Sequence, residues 1–138
     1  MKKTAIALGA ALIAVSSLGF AATLNSLDKD QVKQAFVNKT YTSIGITHLN
    51  DQSIHDIFVG SMDDMGKIHG KFSHAPPQGP QSDEGVYTIK DDGQICITWQ
   101  HWQQNKEFCV YVYGTNNAYV LVDVNNTFHT VFLKTDVK

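Results

Sequence analysis

The sequence predicts a mainly β domain of the α+β kind: one short N-terminal helix, then an antiparallel meander of about eight strands, rolled into a curved sheet or small barrel and carrying one disulfide. Three observations lead there. Beyond residue 40 the apolar residues alternate with polar ones instead of recurring at helical spacing. Short turns rich in Asn, Asp and Gly separate the alternating runs, so consecutive strands become antiparallel neighbours. A sheet of that many strands curls on itself to hide its edges.

The first element in chain order is a leader. Met1-Lys2-Lys3 supplies a positive start, Thr4 to Phe20 is uncharged and apolar, and Gly19-Phe20-Ala21 offers small residues at the two positions a signal peptidase reads. The expectation is a signal peptide over 1–21, cleaved between Ala21 and Ala22, and a single β-rich domain over 22–138. A membrane anchor is the weaker reading, because Gly9, Ser16, Ser17 and Gly19 break a short segment. Cleavage leaves nine Lys against 13 acids, a formal charge of −4. The mature domain is expected to be secreted or periplasmic and not inserted in a membrane. All 11 basic residues are Lys. Without one arginine fork, a dedicated nucleic-acid binder is not expected.

The helix follows. Asp28 is its N-cap, Gln31 completes a capping box, and Leu27 staples against Val32. Val32, Ala35 and Phe36 share the face that packs on the sheet, and the helix ends near Asn38. Eight strands are expected at Tyr41 to Leu49, Ile54 to Ser61, Lys67 to Phe72, Val86 to Lys90, Gln94 to Gln100, Glu107 to Tyr113, Ala118 to Val124 and Phe128 to Lys134. Turns fall at Asn50-Asp51, Asp63 to Gly66, Asp91 to Gly93, Gly114 to Asn117 and Asn125-Asn126. Alternation then assigns Tyr87, Ile89, Ile95, Ile97, Trp99, Phe108, Val110, Val112, Val120, Val122, Val124, Phe128 and Phe132 to the core, with Tyr111, Tyr113 and the cysteines on the opposite face.

Cys96 and Cys109 are the only cysteines. In an exported domain, on two strands joined by a polar turn, they are expected to sit opposite each other and be bonded. The stretch Ser73 to Gly85 holds all three prolines and lacks apolar spacing. It reads as a flexible tether in preference to a binding loop.

No G-x-S-x-G, H-E-x-x-H or phosphate-binding glycine loop is present, so the domain is read as non-enzymatic and without a cofactor. Two constellations remain. His101 and Trp102 lie at the tip of the cysteine hairpin and form a candidate ligand or partner surface, provided Trp102 is exposed; otherwise it folds back over the end of the barrel as core. His48, His55, His69 and His74 are the candidate metal set, with His48 and His55 on strands joined by a short turn; without close zinc-type spacing, scattered His is the simpler account.

At Gly85-Val86-Tyr87-Thr88-Ile89, then Asp92-Gly93-Gln94-Ile95-Cys96-Ile97-Thr98-Trp99, then Phe108-Cys109-Val110-Tyr111, the chain resembles an uncharacterised exported bacterial family called DUF995. Leu27 to Asn38 and Lys39-Thr40 match its early part. Tyr87 stands where many members have Trp, and the proline loop departs from the pattern. The resemblance implies the fold and the disulfide, and no activity. The expected function is a secreted or periplasmic binding domain for a small ligand, a glycan or a protein. A metal-handling protein for Zn or Cu and a secreted inhibitor of a hydrolase are the alternatives.

Overall fold

In a computed structural model, which describes residues 25–49, 52–77 and 79–138, the chain forms one helix, α1 (Lys29–Phe36), and nine strands. The strands are β1 (Lys39–Leu49), β2 (Gln52–Ile54), β3 (Phe58–Met62), β4 (Lys67–Phe72), β5 (Ser82–Ile89), β6 (Ile95–Trp99), β7 (Phe108–Gly114), β8 (Ala118–Asp123) and β9 (Phe128–Val137). Every strand pairing in the sheet is antiparallel, and β9 returns to pair with β1. Eight strands therefore close into a barrel, and β2 hangs from the far end of β1 as a hairpin arm. Closure leaves the barrel wall without a free edge. The predicted leader and the turn at Asn50-Asp51 lie outside the described residues.

Helix α1 begins as the sequence predicts. Asp28 accepts from the Gln31 N–H at 2.9 Å, and the Gln31 side chain accepts from the Asp28 N–H at 3.0 Å. Val32, Ala35 and Phe36 are buried. The helix closes one end of the barrel, where the Phe36 ring meets Tyr41 at 5.3 Å and Tyr119 at 5.1 Å.

The other end is closed by Trp102. It opens a short 3-10 segment, Trp102–Asn105, and is fully buried among Phe58, Phe72 and Trp99, with ring centroids 4.8 to 6.2 Å away. Two glycines make room for these rings. Gly60 and Gly70 are register partners on β3 and β4. A Cβ at Gly60 would lie 2.3 Å from the Tyr41 ring, and one at Gly70 would lie 2.8 Å from both Trp99 and Trp102.

Three expectations are corrected. The predicted second strand divides into β2 and β3, because Asp56 turns the chain between them, accepting from the N–H of Ile57 at 2.8 Å and of His74 at 2.6 Å. The proline stretch is no tether. Strand β5 starts at Ser82, four residues earlier than expected, and the loop before it is fastened by Gln81 Nε2 to Ser73 O at 2.9 Å and by Trp102 Nε1 to Pro80 O at 2.9 Å. Finally, β8 presents Leu121 to the core, whereas Val120 and Val122 lie outside, as do the exposed Val124 and Phe128. Val112 pairs with Leu121, and directly opposed residues share a face. Tyr119-Val120-Leu121-Val122 is apolar on both faces, so alternation alone does not choose between them.

Candidate functional site

The barrel interior is filled. Its residual cavity is about 40 Å³, lined by side chains including Tyr41, Thr47, Phe58, Leu121, His129 and Phe132. That is room for about one water and not for an organic ligand. Two of the hydroxyls inside are bonded locally: Thr130 Oγ1 donates to Ile46 O at 2.9 Å, and Ser43 Oγ accepts from the Phe58 N–H at 2.9 Å. A further inward residue is His129, which a β-bulge between Leu121 and Val122 turns toward the cavity. Burial, reinforced by nearby His48, pushes its pKa down to about 4.

Among the described residues, depressions large enough for a ligand lie on the outer wall over β3 to β6. Adjoining grooves of about 500, 590 and 290 Å³ all share His69. The sheet register explains the convergence. Thr40 pairs with Ser61, Ser61 with His69, and His69 with Glu84, while the Gln100 N–H donates to Glu84 O at 2.9 Å. One rung thus lines up two hydroxyls, an imidazole, a carboxylate and an amide across β1, β3, β4, β5 and the residue that follows β6.

His101 stands at the edge of this rung and is held from beneath. Asp83 has a 1% exposed carboxylate. Its Oδ2 accepts from the N–H groups of His101 and Trp102, both at 2.8 Å, and its Oδ1 from the Glu84 N–H at 3.0 Å. The same Oδ1 lies 2.9 Å from His101 Nδ1. Burial works to raise the Asp83 pKa, but the bonds from Trp102 and His101 outweigh it and keep the carboxyl below its usual range. An ionised Asp83 fixes the proton of His101 on Nδ1 and turns Nε2 outward. His101 shares the smallest groove with His69, Glu84 and Gln100.

The backbone beyond Trp102 is strained. Gln103, Gln104 and Asn105 are consecutive left-handed residues with φ of 55°, 57° and 54°. Left-handed backbone costs a non-glycine residue roughly 1–2 kcal/mol. The buried Trp102 and the Asp83 bonds hold this tip in place, and Asn105 lines the 500 Å³ groove.

Of the sequence-predicted residues, Cys96 and Cys109 are bonded, register partners on β6 and β7 with Cα atoms 4.0 Å apart. His101 is exposed at the hairpin tip. Trp102 is not: it closes the barrel, so the tip offers no aromatic platform. The four-histidine metal set does not come together. His48 faces Ser53, His74 leans on Asp56 at 3.4 Å, His55 is exposed beyond β2, and only His69 reaches the grooves. Among the described residues, the one group with three metal-type ligand atoms within 4.8 Å is Cys96, Glu107 and Cys109, whose sulfurs are committed to each other. Sequence reasoning missed Asp83 and Glu84, which look like a solvated acidic pair. Adjacent strand residues point to opposite faces, so one goes into the wall and the other onto the rung.

No helix among the described residues is long and apolar enough to cross a membrane. The chain matches no protein-family model, no curated protein and no solved structure.

Proposed function

We infer that the protein is a non-enzymatic binding domain that works outside the cytoplasm and takes a neutral, hydroxyl-rich ligand of the glycan class in the grooves around His69 and His101. The observation that carries this is the contrast between the two surfaces. The interior keeps about 40 Å³, while the outer wall carries a groove of about 500 Å³ beside an imidazole fixed by a buried carboxylate. Ser61, His69, Glu84, Gln100 and His101 offer alternating donors and acceptors at fixed strand spacing. Such a surface suits vicinal hydroxyls, and because Asp63 and Glu84 are offset by Lys67 and Lys71 along the same grooves, it favours a neutral ligand over a charged one. Trp102 contributes by rigidity instead of stacking, since an ordered tip loses less entropy on binding.

Calorimetric titration with a panel of neutral oligosaccharides tests the reading. At least one should bind the native protein, and His101→Ala and Glu84→Gln should each weaken it about tenfold or more, with the folded far-ultraviolet spectrum retained. Binding that both substitutions leave unchanged, or no binding across the panel, contradicts the assignment.

A further inference from the structure

On the side of the barrel away from the grooves, the outer wall is apolar. Register fixes its composition. Tyr111 pairs with Val122 and Val122 with Phe128; Tyr113 pairs with Val120 and Val120 with Val131; Ala118 pairs with Leu133. Three rungs across β7, β8 and β9 thus contain no charged residue. Beside them β1 bulges, with two extra residues between the pairs Ser43–Phe132 and Thr47–Thr130. Gly45 takes φ of 90° at the crest, and its neighbours Ile44 and Ile46 are 51% and 38% exposed.

We propose that this wall is the contact surface for a second copy of the chain. The barrel wall offers no free strand edge, and the arm β2 presents one of three residues only, so association through this wall is face to face, with apolar rungs packing sheet on sheet. Ile44, Ile46, Phe128 and Leu133 are 38% to 51% exposed and the other six side chains are half-buried; on that footing the ten present roughly 600 Å² per protomer, and a two-fold pair would bury about 1,200 Å², at the lower bound of stable interfaces. An isologous pairing sets the same patch of both chains together, and the absence of charge on the rungs removes the like-charge clash that residues near the two-fold axis would otherwise create. A lipid surface is the poorer occupant: the rungs hold no Lys or Trp, and Asp92 accepts from the Tyr111 hydroxyl at 3.4 Å at their margin. The His69 grooves face away from this wall and stay open in the pair.

Sedimentation equilibrium over a wide concentration range tests the proposal, with Val131→Lys and Ile46→Lys as variants and Val86→Lys, exposed on β5 outside the rungs, as control. The native protein and the control should reach twice the chain mass, while each wall variant should raise the dissociation constant more than about tenfold. Ile46 lies on the bulge, so its variant retains the fold should Val131→Lys disturb it. A native protein that stays monomeric at every concentration overturns the proposal. So does a dimer indifferent to both wall variants, or a monomer whose wall instead drives uptake into phosphatidylcholine vesicles.

Discussion

The Asp83 carboxylate and the His101 imidazole lie 2.9 Å apart, Oδ1 to Nδ1, the first inside the barrel wall and the second outside it. The same carboxylate accepts from the N–H of Trp102, the residue that closes the barrel. One buried charge therefore ties the orientation of a surface imidazole to the integrity of the core, and the proposed binding surface inherits its rigidity from the fold.

Removing that charge should be costly. Asp83→Ala leaves three backbone donors without their partner and should destabilise by about 3–5 kcal/mol, read as a drop in the urea midpoint. The pH dependence has a defined sign. The folded-state pKa of Asp83 is depressed, so its stabilisation is present above the unfolded-state value near 4 and is lost as pH falls through the folded value. Asp83→Asn should accordingly show a shallower loss of stability below about pH 4 than the native protein.

Trp102 should behave as core. Trp102→Ala should cost about 3–5 kcal/mol, and Gly70→Ala about 1–3 kcal/mol because its new methyl meets the Trp99 and Trp102 rings. In a Trp99→Phe background, the remaining tryptophan should emit in the blue and resist iodide. Red-shifted, quenchable emission would restore the exposed platform that the hairpin sequence suggested.

The contrast between these residues shows what was legible in the chain. The capping box at Asp28, the cross-strand cysteines and the turns of Asn, Asp and Gly act locally, so they could be read directly, and with them the helix, the disulfide and the meander. The fate of Trp102 depends on Gly70 and Pro80, which are distant in sequence and meet it only once the barrel closes. The outer rungs misled for a different reason. Val120, Val122 and Phe128 look like core because they are apolar, yet the register with Val112 places Leu121 inside. The His69–Glu84 rung has no signature at all in sequence, since it arises from strand pairing.

His129 supplies a second pH response. Its half-buried ring lines the cavity, and desolvation there holds its pKa near 4 against an ordinary value of 6.5. Between those values the unfolded chain binds the proton more readily, so stability should fall as pH drops from about 6.5 to 4, at up to about 1.4 kcal/mol per pH unit. His129→Leu should remove this slope in urea titrations across the window. An unchanged slope would place the ring in water.

The Cys96–Cys109 bond closes a short loop between neighbouring strands. Its reduction should lower stability by about 3 kcal/mol and shift the urea midpoint down, without abolishing the cooperative transition. Mass analysis of unreduced protein should show no free thiol.

The central claim is that ligand is held on the outer wall and not within the barrel, and amide chemical-shift mapping during titration with a bound oligosaccharide reads this most directly. The perturbed amides should cluster at Ser61, His69, Glu84, Gln100, His101 and Asn105, leaving Tyr41, Val112 and Phe132 unmoved. Perturbations centred on those interior residues, or on β7 to β9, would contradict it.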